Sequence, residues 1–284
     1  MILLPTRLFQ QPTVTTLLRS GNNCILEKRL EENTGRREGY LATHAVSIVL
    51  SGRQVIESYD GDTISIQPGE AILLRRGLYH ISDFVTGNNG FHSLLCYFED
   101  NIINKFLADR PADFRNSRAS DFVHLPSAVE LNTFARSTLD LYRLGKPNRP
   151  AVLQLKQLEL LHLSSDLPGL MSTLCQFVIP KKRGIRDFME SNYHKQLGVE
   201  DYARLTGRST SSFRRDFKAH FGTTPQRWLK GKRMAAAVEI SQRNQISVSR
   251  LAHQVGYENV SYFIREFREH TGYSPRQFML REHS

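Results

Sequence analysis

Basic and hydroxyl side chains recur in two stretches near the carboxyl-terminal end of the chain. In each stretch they lie opposite a pair of phenylalanines four positions apart, Phe213 with Phe217 and Phe263 with Phe267. Residues four apart share one face of a helix, so each pair predicts a buried face and leaves the opposite face for polar contacts. That opposite face carries Ser211, Arg214, Arg215 and Lys218 in the first stretch, and Ser261, Tyr262, Arg265 and Arg268 in the second.

The chemistry of these side chains suits double-stranded DNA. An arginine can donate paired hydrogen bonds to guanine in the major groove, and we expect this of Arg215 and Arg265, which hold matched positions two residues after Phe213 and Phe263. The other basic residues are candidates for phosphate contacts or for solvated charge, and the serines and tyrosine for base contacts or for a surface that fits the groove. The alternative for Arg215 and Arg265 is a solvated helix face.

The elements that would position these residues occur twice, at a period near 50. Each copy predicts a helix, a glycine turn that needs a positive φ, and a second helix capped by Ser209 or Asn259. This order is that of a helix-turn-helix unit. An alanine-rich helix over 228–244 joins the copies and would bring both units to successive major grooves about 34 Å apart. The matched anchors are Ala203, Gly207, Phe213, Phe217, Gly222 and Pro225, and then Ala252, Gly256, Phe263, Phe267, Gly272 and Pro275.

Charge separates the chain into two parts. Residues 1–180 hold 18 Lys and Arg against 18 Asp and Glu, whereas residues 181–284 hold 20 against 10, which is the whole net charge of +10. A basic module beside a neutral one indicates a polyanionic partner for the basic module. We therefore expect the domain that binds DNA at 181–284, after a linker at 180–184. The hydrophobic fraction of 40% and the charged fraction of 23% are ordinary for a globular protein.

The first third predicts short strands bounded by turns. Ser51-Gly52, Asp60-Gly61 and Pro68-Gly69 are predicted hairpin turns. Six or more strands at this spacing favour a small barrel or jelly roll over 1–126, and together with the helices that follow they predict an α+β fold. The predicted strands are 24–30, 45–50, 53–59, 62–66, 71–76 and 91–98.

Residues 127–180 predict a helical region. Helices are expected at 128–144 and 151–165, with a shorter one at 168–178, after a first short helix at 101–110 and a loop at 110–126. Leu131, Phe134, Thr138 and Leu141 lie at helical spacing, as do the leucines of the second helix, including Leu155 and Leu158. Two alternatives stay open: the helices cover one end of the barrel, or they form the seam of a homodimer.

The remaining reactive side chains predict no catalytic site, no metal site and no cofactor. Cys24, Cys96 and Cys175 are odd in number and widely spaced, which is typical of buried thiols in a reducing cytoplasm. His44, His80 and His92 form no His-x-His pair and have no downstream carboxylate at a cupin-like step. A cupin-type metal enzyme with an accessory DNA-binding domain is kept as the alternative function. No apolar run predicts a membrane span.

Residues 183–280 resemble the AraC-type DNA-binding domain, and the last 40 carry the most specific part of the resemblance. The matching strings are RMAAAV at 233–238, ISVSRLA at 246–252 and GYSP at 272–275. The stretch IQPGEAILLRRGLYHIS at 66–82 is similar to the cupin-like sensor domains of these regulators, and most of all to activators of type III secretion genes. The resemblance implies a cytoplasmic, dimeric transcription activator that acts on RNA polymerase, with a small-molecule ligand or a regulatory protein at the barrel.

Overall fold

The computed structural model describes residues 2–87, 90–108, 120–145, 147–167, 169–178 and 183–282. The chain divides into two compact units, Met1–Ile179 and Pro180–Ser284. In the described residues, the first unit combines two β-sheets with helices, and the second is helical. The architecture is therefore mixed α+β. Residues 180–182 of the predicted linker lie outside the described residues.

Eleven strands are present among the described residues of the first unit, arranged in two sheets. Five form the smaller sheet in the order β1-β4-β9-β6-β7, in which β1 runs parallel to β4 and the other pairs are antiparallel. Six form the larger sheet in the order β11-β8-β5-β10-β3-β2. The strands are β1 (Ile2–Leu4), β2 (Val14–Ser20), β3 (Asn23–Leu30), β4 (Thr34–Leu41), β5 (His44–Ser51), β6 (Arg53–Ser58), β7 (Thr63–Ile66), β8 (Ala71–Leu74), β9 (Gly77–Phe84), β10 (Phe91–Phe98) and β11 (Phe122–Leu125).

The larger sheet is buried on both faces. Leu26, Val49 and Leu95 belong to a core shared with the smaller sheet, while Ile48 and Leu94 belong to a second core shared with helices. Alternate residues of one strand point to opposite faces, so both sets must be apolar when neither face meets water. This accounts for the nearly continuous apolar runs of β5 and β10. The covering helices are α1 (Asp100–Leu107), α2 (Val129–Tyr142), α3 (Pro150–Leu163) and α4 (Leu170–Phe177).

Two of the three predicted hairpin turns are wrong. Asp60-Gly61 does join the paired strands β6 and β7. At Ser51-Gly52 and Pro68-Gly69, however, the chain crosses from one sheet to the other, because β5 and β8 lie in the larger sheet and β6 and β7 in the smaller. A glycine with positive φ can turn the chain into a crossing as well as into a hairpin, and Gly52 has a positive φ. A side chain would not fit there, because a Cβ at Gly52 would lie 2.6 Å from the carbonyl oxygen of Phe84.

The helices predicted for the first unit are present, but their ends are shifted along the sequence. Leu141 is 66% exposed, since Leu139 occupies the buried face of α2 instead.

The predicted loop at 110–126 contains β11, which pairs with β8, and its residues 110–119 lie outside the described residues. Cys24 and Cys96 are buried thiols, but Cys175 is only half-buried. No described helix is long and apolar enough to cross a membrane.

The second unit packs two similar helix pairs around a long central helix. Phe213 and Phe217 are fully buried in the first pair, and Phe263 and Phe267 in the second, as their spacing predicts. Trp228 closes the first core, with its ring centroid 5.7 Å from that of Phe217. The helices are α5 (Ile185–Asn192), α6 (Val199–Leu205), α7 (Thr210–Phe221), α8 (Pro225–Arg243), α9 (Val248–Gln254), α10 (Val260–Thr271) and α11 (Pro275–Glu282).

Candidate nucleic-acid interface

The first helix pair, α6 and α7, is joined by a turn that the sequence specifies locally. Gly207 has φ of 69°, and the Ser209 hydroxyl accepts a hydrogen bond from the amide of Ser212, which caps α7. Gly222 ends α7 in the left-handed conformation. The position of α7 along the chain is fixed by its capped start and by the glycine at its end. Its rotation is fixed by the two buried phenylalanines.

The outward face of α7 is basic. Ser211, Arg214, Arg215 and Lys218 are all exposed. Arg215 is 79% exposed, and its Nε lies 3.5 Å from Oδ1 of Asp216. That carboxylate is also held by Arg208, whose Nε lies 3.1 Å from Oδ2. Because Asp216 has this second partner, the Arg215 guanidinium can leave it without stranding a charge.

The outward face of α10 carries the second set of predicted contact residues. Ser261, Tyr262, Arg265 and Arg268 are exposed, and the amide of Tyr262 donates a 2.8 Å hydrogen bond to Oδ1 of the cap residue Asn259. The guanidinium carbon of Arg265 lies 5.0 Å from the centroid of the Tyr262 ring. Such a cation–π contact restricts the arginine before any ligand arrives.

The two faces are matched but not identical. Arg215 and Arg265 occupy the same step after the first buried phenylalanine of their helices, and both are exposed, so the structure is consistent with equivalent roles. Arg214, however, corresponds to the half-buried Ile264, and Ser212 to Tyr262. The first face is therefore more basic, and the second presents an aromatic ring.

Sequence reasoning overlooked Arg208, which braces the turn between α6 and α7. Its guanidinium donates to the carbonyl oxygens of Arg183 at 2.9 Å and Thr206 at 2.6 Å. Arg183 lies just before α5 and Thr206 directly after α6. The same guanidinium binds Asp216 of α7, so Arg208 holds α7 against the start of the unit. The only sequence signal was a basic residue directly after Gly207, which does not reveal its acceptors.

One lysine of the central helix is excluded from the basic surface by its partners. Nζ of Lys230 lies 2.5 Å from the buried carboxylate of Glu266 and 3.2 Å from Glu269, and these bonds raise its pKa. Since two carboxylates neutralise its charge, Lys230 joins α8 to α10 and adds no net positive charge to the basic surface.

The histidines of the first unit do not converge on a metal site. His44 is buried, with Nε2 donating to Asp100 at 2.8 Å and Nδ1 accepting from the amide of Arg76 at 3.2 Å. Burial lowers the pKa of His44, and hydrogen bonds from His44 and Arg76 outweigh burial to hold the pKa of Asp100 at about 2. His80 and His92 lie beside Glu57 and Glu27 instead. The described residues contain no group of three His, Cys, Asp or Glu that could hold a metal.

A small cavity of about 60 Å³ lies among strands of both sheets of the first unit. Leu41, Ile56 and Leu95 contribute to its apolar wall, and an ion pair between Lys28 and Asp83 at 2.5 Å lies beside it. Within the part of the chain that is described, the Ser47 hydroxyl and the Gln54 carbonyl oxygen at this cavity are buried without hydrogen-bond partners. Such groups are satisfied when a ligand or water enters.

Comparisons with known proteins agree with this geometry. A helix-turn-helix domain model matches residues 202–281, and a model of the ExsA N-terminal regulatory domain matches residues 44–172. The regulator ExsA of Pseudomonas aeruginosa is 24% identical over 81% of this chain and 84% of its own. The thermoregulatory protein LcrF of Yersinia pestis is 26% identical over 48% of this chain and about half of its own, 52%.

Among solved structures, ToxT of Vibrio cholerae covers 93% of this chain and 98% of its own, at 10% identity and a TM-score of 0.45. The carboxyl-terminal domain of the response regulator yesN from Fusobacterium nucleatum covers 34% of this chain and 93% of its own, at 28% identity and a TM-score of 0.32.

The helical unit and the two matched families define a DNA-binding transcriptional regulator. Together the two family models cover most of the chain, one in each unit. In both units the chain is similar to AraC-family transcriptional regulators. The proteins that match this chain are named transcriptional regulators, which favours a regulator over the alternative of a cupin-type metal enzyme.

Proposed function

We propose that the chain is a sequence-specific transcription activator that binds double-stranded DNA through two helix-turn-helix units, α6–α7 and α9–α10. The observation that carries the proposal is the pair of exposed basic faces on α7 and α10, each held by a capped start and two buried phenylalanines. We assign DNA contact to Ser211, Arg214, Arg215, Lys218, Ser261, Tyr262, Arg265 and Arg268. ExsA is named a transcriptional regulator and LcrF a thermoregulatory protein, and the matched VirF proteins are named transcriptional activators.

Selection of bound sequences from a random duplex library by the full chain tests this function. We expect an enriched motif in which each bound copy of the chain protects two segments about 34 Å apart on one face of the duplex. Affinity should fall steeply with salt, because basic contacts release counterions from the phosphates. When the motif is placed upstream of a promoter in cells that express the chain in their cytoplasm, transcription by RNA polymerase should rise. Equal binding to all sequences would contradict the proposal.

We also propose that the first unit is a cupin-like barrel over 1–126 whose helical region, 127–180, forms a homodimer. Three leucines support this: Leu141 and Leu155 are 66% exposed, and Leu144 is 99% exposed, although water is an unfavourable environment for their side chains. A second copy of the chain would cover them. Leu158 is half-buried and packs against the helix-side core, so it is the poorer test residue.

Sedimentation of the Leu141→Glu, Leu155→Glu double variant tests the dimer. The exposed positions tolerate glutamate in a monomer, so we expect a folded monomer that still binds a single site, more weakly. Ala151→Glu, at another exposed position of α3, is the matched control and should stay dimeric. A variant that remains a dimer would refute this seam.

The cavity between the sheets supports a sensory role for the first unit. We propose that it binds a small molecule, since an apolar wall with a few unsatisfied polar atoms is typical of ligand pockets. Native mass spectrometry of the purified chain should detect a bound molecule that the variant Ser47→Leu loses. A regulatory protein at the same unit is the alternative, and its capture together with an empty cavity would favour it.

A further inference from the structure

The loop between α5 and α6, residues 193–198, belongs to the first helix pair but contacts both the central helix and the second pair. Arg233 of α8 donates from Nε to the carbonyl oxygen of Tyr193 at 2.8 Å and from Nη2 to that of Lys195 at 2.7 Å. Backbone carbonyls are acceptors with fixed positions, so a guanidinium that spans two of them sets the orientation of the loop on α8.

The second helix pair meets the same loop at Gly256. This glycine has φ of +90°, and a Cβ on it would lie 2.7 Å from the carbonyl oxygen of His194 and 3.1 Å from Nε of Arg233. Only the absence of a side chain lets the turn between α9 and α10 approach so closely. Nε2 of Gln196 also lies 3.4 Å from the carbonyl oxygen of Tyr257.

Each side of this contact is bonded to a helix of its own pair. On the first side, the Tyr202 hydroxyl of α6 donates to the carbonyl oxygens of Asn192 at 2.9 Å and Lys195 at 3.3 Å. On the second side, the Tyr257 ring packs 5.3 Å from that of Phe263 in α10. A displacement at the loop would therefore move α7 relative to α10.

We propose that Arg233, the loop 193–198 and Gly256 form an inter-pair clamp that sets the distance and angle between α7 and α10, and so selects the spacing between the two DNA sub-sites. The inference rests on the proposed function, because it presumes that both helices contact DNA. Two joined modules bind tightly when their geometry matches the spacing of their sites, and a rigid pair rejects other spacings.

The geometry of DNA makes the selection sharp. One base pair added between the sub-sites moves the second groove by about 3.4 Å along the axis and turns it by about 35°, since a helical turn holds about 10.5 base pairs. A clamped pair cannot follow this rotation. A pair joined by α8 alone can follow it, at the cost of some affinity on the best site because its orientation is no longer fixed in advance.

The test measures binding of the full chain to the duplex selected from the random library and to versions with one base pair inserted or removed between the two segments that one copy of the chain protects. We expect the unaltered chain to lose on the order of 10-fold or more with either change, as a misplaced second unit forfeits its base contacts. Arg233→Ala should lose less than about 3-fold between spacings and bind the best site roughly 5-fold more weakly. Arg233→Lys, which retains one donor group, should lie between them.

The matched control is Arg243→Ala, since Arg243 lies on the same helix and pairs with Glu239 of that helix. It should keep the spacing selectivity of the unaltered chain. If Arg233→Ala does not fold, Gln196→Ala removes the weaker contact and should relax the selectivity by a smaller factor. Unchanged selectivity in every folded clamp variant overturns the inference. Loss of sequence preference by the unaltered chain would instead overturn the proposed function.

Discussion

Replacement of Arg215 or Arg265 by alanine should remove base recognition while leaving the fold intact. Arg215 is 79% exposed, and Asp216 keeps Arg208 as a partner in its absence. An exposed ion pair contributes only about 0–1 kcal/mol, so the variant should unfold close to the midpoint of the unaltered chain. Binding losses can then be assigned to the DNA contact.

The expected loss for each arginine is about 1–3 kcal/mol on the selected site, or roughly 5- to 150-fold in affinity. The value for Arg265 should lie in the upper part of this range, because its position over Tyr262 reduces the side-chain entropy that binding must remove. The variant Tyr262→Ala should reproduce part of the Arg265 loss without touching the guanidinium itself.

A competition assay across a library of sites measures the loss at each base pair. The two variants should lose discrimination at positions about one helical turn apart. Lys218→Ala is the comparison, because a phosphate contact lowers affinity for all sequences alike and reduces the salt dependence by about one ion. If Arg215→Ala and Arg265→Ala weaken selected and random DNA equally, neither arginine contacts a base edge, and specificity must come from the shape of the duplex.

Three further predictions concern stability, measured by urea unfolding of the full chain. Asp100→Asn should destabilise the first unit by at most about 2 kcal/mol. Folding lowers the pKa of Asp100 from 3.8 to about 2, and the free energy that this shift represents is reduced because the side chain is 35% exposed. An unchanged unfolding midpoint would contradict the assigned hydrogen bonds. His44 binds its proton less readily when folded, so stability should fall as the pH drops below the unfolded value near 6.5, and His44→Gln should flatten this slope. Gly222→Ala should cost about 1 kcal/mol from left-handed strain alone, as no atom lies within 4 Å of the added Cβ, and a neutral result would refute that account.

The second unit was the more predictable from sequence because its signals are local. Phe213, Phe217 and the glycine turns lie within a few residues of the helices they define, and the structure places them as expected. Arg233 shows the limit of this reasoning. Its two acceptors lie about 40 positions earlier, in a loop whose backbone direction no local pattern indicates.

The first unit was harder because its strands pair across long separations. Strand β4, with the sequence TGRREGYL, carries two glycines and three charges and shows no clean alternation, so it was overlooked. Strand β9 contains Asp83, which is buried only because Lys28, Thr34 and Gln54 from other strands bind it. Partners of this kind cannot be recognised before the sheet is known.

The central helix α8 restricts where regulators of this kind can gain or lose residues. It spans 19 residues, and each residue of a helix advances about 1.5 Å and rotates about 100°. A single insertion would therefore turn the second helix pair by more than a quarter of a circle and break its registration with the clamp. Insertions and deletions between Pro225 and Arg243 should therefore be rare among natural variants.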